Sequence, residues 1–243
     1  MVNTGACGAL NSSSILDSRP MKIHRFFVAE DVLGNDVELL DESVVHQISR
    51  VLRMKVGERV ALCDGRGTDA VSEIIAMDKK SVSVRVLERI PTWVPQKKVH
   101  VFLAPIRKER FEWALEKCTE LGVARVTPLI TERSERGIVK RERAEVIMKE
   151  AAEQCGRGDV PIFGEPVELE TLSGEYFVLD MGGVVLEQSA QKNKEIRLLI
   201  GPEGGWTEAE REFFKSKNWQ SFSLGPTTLR AETAAVAACA RVL

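Results

Sequence analysis

Two glycine-marked turns near the C-terminus constrain this chain more than anything else in it. Leu198-Leu199-Ile200-Gly201-Pro202-Glu203-Gly204-Gly205 is the first, and Ser223-Leu224-Gly225-Pro226-Thr227-Thr228-Leu229-Arg230-Ala231-Glu232 the second. Each follows a short apolar run of strand type and precedes a run of helix type. Glycine permits positive φ and lets another group come close to the backbone. Strand, loop and helix repeated in this way belong to a parallel α/β sheet. Two such loops lying side by side at the carboxyl end of a sheet form the edge at which open α/β sheets bind ligands.

The pattern upstream divides in two. Residues 21–90 read as mostly β: Arg25–Val28, Val56–Gly67, Ala70–Ile75 and Val82–Val86 carry strand signals, and His46–Arg53 a short helix or turn. A run of short strands predicts a small barrel. Pro91 and Pro95 mark a linker over 91–96. From 97 to 243 strands and helices alternate. Strands are expected at Val99–Ala104, Val126–Ile130, Tyr176–Leu179, Ile196–Ile200 and Phe222–Leu224. Helices are expected at Glu109–Leu121, closed by Gly122, at Arg141–Cys155, and at Glu232–Val242. Thr207 with Glu210 three residues on forms a capping box for a further helix reaching Lys217. Residues 1–20, rich in Gly, Ser, Asn and Ala, lack the basic start and apolar core of a signal peptide and are expected to be a disordered extension.

Charge narrows the partner. The formal net charge is only −2, yet twelve Lys/Arg stand against seven Asp/Glu between Lys97 and Arg143. A basic region in a near-neutral chain suits a phosphate-rich partner, or is an ordinary solvated helix face. No apolar run approaches the length of a membrane span. Five cysteines, scattered and without C-x-x-C spacing, point to a reducing, cytoplasmic compartment rather than to a disulfide framework. With three histidines the chain has few nitrogen ligands, and no metal is expected. Cys155 ends a helix without a local His partner, so it reads as structural or near-site rather than nucleophilic. Trp113 and Phe111 read as core rather than as base-stacking residues. Asp180-Met181-Gly182-Gly183 partly matches a Rossmann-type glycine loop but lacks the third glycine, and reads instead as a buried strand ending in a turn.

Six ordered blocks taken together resemble a known family. They are His46…Arg50-Val51-Leu52-Arg53-Met54, Glu116-Lys117-Cys118-Thr119-Glu120-Leu121-Gly122-Val123, Thr131-Glu132-Arg133-Ser134, Glu150-Ala151-Ala152-Glu153-Gln154-Cys155-Gly156-Arg157, the Gly201 loop and the Leu224–Ala235 segment. From about Met21 to the end the chain is similar to the RsmE family, SPOUT-class methyltransferases that use S-adenosylmethionine to make N3-methyluridine in 16S ribosomal RNA of the small subunit. The resemblance implies a PUA-like RNA-binding β-barrel over 21–90, followed by a SPOUT α/β domain with a C-terminal trefoil knot. It also implies a homodimer. The cofactor loops map onto Leu199, Ile200, Gly201, Pro202, Glu203, Gly204 and Gly205, and onto Leu224, Gly225, Pro226, Leu229 and Arg230, with Leu179 as a third contact. Leu199, Ile200, Leu224 and Leu229 are expected to sandwich the adenine.

For such chemistry the uridine N3 must lose a proton. Glu203 and Glu232 are the nearest bases, although Glu232 equally fits a carboxylate stabilising a helix N-terminus. Arg230 is too basic to take a proton and is expected to stabilise charge at a uracil oxygen or to bind phosphate. Arg25, Arg50, Arg53, Arg107, Lys108, Arg110 and Arg133 are the expected RNA contacts. The competing readings are a related methyltransferase with another RNA target, an RNA-binding protein without catalysis, and a nucleotide enzyme built on Asp180–Gly183.

Overall fold

The computed structural model describes residues 23–29, 32, 34–135, 137–185 and 194–243. The disordered extension expected for 1–20 lies outside them. In the N-terminal unit, β1 (His24–Phe27), β2 (Asp36–Leu39), β3 (Arg59–Cys63), β4 (Thr68–Met77) and β5 (Val82–Pro91) form a sheet in the order β1-β3-β4-β5-β2. The β1–β3 pair is parallel and the rest are antiparallel. Both edge strands feed one core: Phe26 of β1 and Leu39 of β2 are buried with Leu62, Ile74 and Val84. The sheet must therefore curl, as the expected small barrel requires. Helix α1 (Glu42–His46) starts where Asp41 accepts hydrogen bonds from the Ser43 and Val44 amides, and it continues as a π-turn over Gln47–Val51. Ile48 plugs the core from that turn, while Arg50 and Arg53 stay exposed on its outer side. Arg53 holds a left-handed backbone, φ 53°.

The C-terminal unit alternates as expected. Its elements are β6 (Lys98–Leu103), α2 (Lys108–Leu121), β7 (Arg125–Ile130), α3 (Arg141–Cys155), β8 (Ile162–Phe163), β9 (Val167–Glu168), β10 (Phe177–Val185), β11 (Glu195–Ile200), α4 (Glu208–Ser216), β12 (Gln220–Ser223) and α5 (Ala231–Val242). The parallel sheet runs β12-β10-β11-β6-β7-β8, with β9 also paired to β7. Val99, Val101 and Leu103 of β6 and Ile196, Leu198 and Ile200 of β11 face α2, α3 and α5. Phe102, Leu199 and Val178 face the other side, with Trp206, Phe214 and Trp219 around α4. Burial on both faces explains why these strands read as nearly unbroken apolar runs.

Gly122 closes α2 at φ 102°, and a Cβ there would lie 2.7 Å from the Trp93 ring, so both backbone and neighbour demand glycine. The capping box of Thr207 and Glu210 forms as read. The short strands β2, β8 and β9 carried no signal long enough to read. The described cysteines are free, with Cys118 of α2 and Cys239 of α5 buried at 4.0 Å between sulfurs. Among the described residues no helix is long and apolar enough to cross a membrane.

The two units are bolted together, and this corrects one expectation. Arg25 does not reach out for RNA. Its guanidinium binds Asp69 through two bonds of 2.7 and 2.8 Å and donates to the carbonyls of Ala152, Glu153 and Arg157 at the end of α3. Only 14% of its side chain is exposed. The Phe27 amide adds a bond to Glu153, and Gly158 exchanges backbone bonds with Gly67 and Trp93. The first unit is thereby held against the end of α3.

Candidate active site

The site grows from the carboxyl ends of β10, β11 and β12, the edge where α/β sheets take ligands. Leu179, Asp180 and Met181 of β10 and Phe222 and Ser223 of β12 form one wall of a cleft of about 390 Å³, much of it open to solvent; Leu224, Thr227, Thr228 and Leu229 form the opposite lip, with Ala234 of α5 beneath. The apolar walls suit a flat heterocycle, and the hydroxyl and carboxylate rim suits polar substituents.

Three of the predicted cofactor contacts, Leu179, Leu224 and Leu229, line this cleft. The other ten predicted contacts are not among its lining residues. Leu199 and Ile200 are fully enclosed in the two cores flanking the sheet, because β11 is an interior strand with both faces covered. The apolar walls are instead Leu179, Phe222, Leu224 and Leu229. Phe222, stacked on Phe177 at 5.0 Å just before the second loop, and Thr227 and Thr228 within it also line the cleft and were not among the predicted contacts.

Asp180–Gly183 is also different from its reading. It is neither a terminal turn nor a dinucleotide loop, since β10 continues to Val185 with a register shift against β12 between Leu179 and Val184. A Cβ on Gly183 would sit 2.4 Å from the Phe222 amide nitrogen, so the glycine is there for close strand approach. Asp180 pairs with Arg211 of α4 at 2.8 Å, and that hydrogen bond pushes the guanidinium pKa up.

The Gly201–Gly205 loop stands at the adjacent strand end and is braced rather than free. Trp206 donates its indole N–H to the Leu179 carbonyl at 2.8 Å, joining this loop to the cleft wall. A Cβ on Gly201 would lie 2.9 Å from that indole. Pro202 is buried, Gly205 takes φ 66°, and Arg133 donates to the Gly204 carbonyl at 2.8 Å. The Glu132 amide and the Thr207 amide both bond to Glu210, so the Thr131–Ser134 segment forms a buttress behind the loop. Arg133, expected to contact RNA, is thus engaged with the loop. In the second loop, Gly225 (φ 143°) and Ser223 bond each other, while Pro226 and Arg230 are exposed, Arg230 as the residue preceding α5.

The predicted acids meet at a third element. Arg110, in the first turn of α2, donates to Glu203 and lies 3.6 Å from Glu232 Oε1. Glu232 is only 10% exposed in its side chain, and its Oε2 is buried with no hydrogen-bond partner among the described residues. An unsatisfied buried acceptor is rare in a folded protein and marks a place where a donor belongs. Arg107 and Lys108 are exposed at the same helix start.

Residues 94–243 match a family described as an RNA methyltransferase domain, and residues 40–87 match an RNA methyltransferase PUA domain. Ribosomal RNA small subunit methyltransferase E of Rickettsia conorii is 30% identical over 91% of this chain and 96% of its own length. The chain belongs to the ribosomal RNA small subunit methyltransferase E family. The Bacillus subtilis member is 31% identical, with 78% of this chain and 83% of that protein covered. The solved methyltransferase E of Neisseria gonorrhoeae, bound to S-adenosyl methionine, is 28% identical and superimposes with a TM-score of 0.80 over 90% of this chain and 96% of that one. The family resemblance carried by the six sequence blocks is thereby borne out, and so is the α/β methyltransferase unit preceded by a PUA unit.

Proposed function

We propose that this chain transfers the methyl group of S-adenosylmethionine to N3 of a uridine in 16S ribosomal RNA of the small subunit. The observation that carries the proposal is the cleft between β10 and β12, with a buried carboxylate oxygen, unpartnered among the described residues, on the helix that floors it. The residues present fit the cofactor. Leu179, Phe222, Leu224 and Leu229 provide walls for adenine, Asp180, Thr227 and Thr228 provide polar partners, and the Gly201 turn leaves no room for a side chain beside Trp206.

The cofactor supplies a methyl group already activated on a sulfonium, so the protein's part is alignment and proton removal. Glu232 is the proton acceptor for uracil N3–H. Glu203 is less suited, because its carboxylate is bound by the Arg110 guanidinium and is more exposed. Arg230, at the mouth of the second loop, supplies positive charge to a uracil oxygen. Arg50, Arg53, Arg107 and Lys108 hold the RNA backbone, positioning it without reading bases.

The homodimer and the cytoplasmic setting rest on family membership. The trefoil knot is supported by the return of the chain. β12 lies beyond β10 at the sheet edge, yet α5 packs on α2, β6 and β11, so the segment between them crosses back over the intervening strands.

The deciding test is methyl transfer from labelled cofactor to small ribosomal subunits lacking the modification, with mass spectrometry of the digested nucleosides. N3-methyluridine is expected. A different methylated nucleoside would discard the target and keep the enzyme class. Absence of both transfer and cofactor binding would favour an RNA-binding protein without catalysis.

Two variants separate the roles. Gly201→Val is expected to weaken cofactor binding by about 100-fold or more, because the branched side chain displaces Trp206 and with it the bond to the Leu179 carbonyl, a loss of about 3 kcal/mol. Calorimetric titration that finds unchanged affinity would refute the loop's part in the site. Arg53→Ala is expected to weaken RNA binding and reduce its salt slope by about one counterion, with cofactor affinity intact. An unchanged slope would remove Arg53 from the RNA face.

A further inference from the structure

We infer that Arg110 is a positioning residue for the transfer step: its guanidinium orients the Glu232 carboxylate and ties α5 to the Gly201–Gly205 loop. The inference rests on Glu232 being the proton acceptor. Arg110 was read from the sequence as one more RNA contact, and the fold gives it different partners. Its Nη1 donates to Glu203 Oε1, and its Nε faces Glu232 Oε1 at 3.6 Å. Glu203 belongs to the loop after β11 and Glu232 to the first turn of α5, whereas Arg110 comes from α2. One planar cation therefore joins the loop after β11 to α5, the helix beneath the cleft, from a third, well-packed element.

The chemistry favours arginine here. A guanidinium presents donors in a rigid fork and can face two carboxylates at once; an ammonium on a flexible stem is a point charge that satisfies one geometry at a time. Exposure falls from 37% at Glu203 to 28% at Arg110 and 10% at Glu232. The Arg110–Glu232 contact is thus the one least screened by solvent. With Oε1 turned to Arg110, Oε2 is the oxygen left buried and without a partner among the described residues. Holding Oε1 fixes which oxygen takes the proton, and an acceptor must be held in place to act in a transition state.

The test compares Arg110→Ala and Arg110→Lys with the wild-type protein in cofactor titration and in steady-state methylation of small subunits. Both variants are expected to lose at least about tenfold in kcat, equal to about 1.4 kcal/mol, with cofactor affinity and KM for the subunits little changed. Arg110→Lys carries the test if Arg110→Ala melts early. Arg110→Ala placed on Glu232→Gln is expected to cause no further loss, because residues acting through one another are not additive. Additive losses would overturn the inference. A rise in KM for the subunits with a shallower salt dependence would also overturn it, making Arg110 a phosphate contact instead. If Glu232→Gln alone keeps wild-type turnover, the assignment of the proton acceptor fails, and the inference falls with it.

Discussion

Glu232→Gln is expected to lower kcat by about 10²- to 10⁴-fold, the contribution of a positioned general base, while cofactor binding persists. Glutamine keeps the volume and can still meet Arg110, but it cannot accept the N3 proton. The other reading of Glu232, a carboxylate stabilising the N-terminus of α5, is worth only about 0.3–1 kcal/mol and acts on stability rather than on rate. The two readings therefore separate in one experiment, single-turnover methyl transfer beside a thermal melt. A large drop in rate with a small shift in melting identifies the base. Wild-type turnover with a lowered melting temperature would leave Glu232 as a helix-end stabiliser and send the search for the base elsewhere.

Arg157→Ala is expected to destabilise the fold by about 3–5 kcal/mol, the cost of breaking a buried pair by removing one partner. Arg157 is 1% exposed, the largest fully buried side chain among the described residues. Its guanidinium binds Asp159 at 2.9 and 3.0 Å and donates to the carbonyls of Thr119 and Val123, at 2.8 and 3.1 Å, where α2 turns into β7. Alanine leaves those buried carbonyls, and the partly exposed Asp159 carboxylate, without their donor. Urea denaturation monitored on the four tryptophans measures it. A loss below about 1 kcal/mol, the level of an exposed ion pair, would show that the cluster is not what closes this corner.

Much of the fold was legible because its signals are local. The bounds of α3, the αL end of α2 at Gly122 and the Thr207–Glu210 capping box depend on residues within a turn of one another, and each formed as read. The strand ends of the α/β unit were visible for the same reason: an apolar run meeting glycine is a statement about a few neighbouring backbones. The site was half legible. Leu179, Leu224 and Leu229, expected as cofactor contacts, do line the cleft.

The misreadings have a common cause. Leu199 and Ile200 look like pocket walls until the strand order puts β11 between β10 and β6 and covers both its faces. Arg25, Arg110 and Arg133 were expected RNA contacts, and Arg157 carried no reading of its own. Arg25 meets Asp69 across 44 residues, Arg110 meets Glu203 across 93 and Arg133 meets Gly204 across 71, while Arg157 reaches back 38 residues to Thr119. Glycine at 183 looked like a turn because nothing nearby in the chain reveals that the backbone of β12 passes within contact distance.

Periodicity, caps and glycines already carried the strand and helix alternation and the change of pattern near residue 91, since each depends on interactions a few residues long, while the family came from the resemblance of six ordered blocks. Which arginines are held by partners inside the fold, which leucines line the cleft, and which carboxylate oxygen is buried beside Arg110 emerged only when distant segments met. A charge is indifferent to its partner until folding removes water from around it, and that desolvation is a property of the assembled core rather than of any stretch of chain.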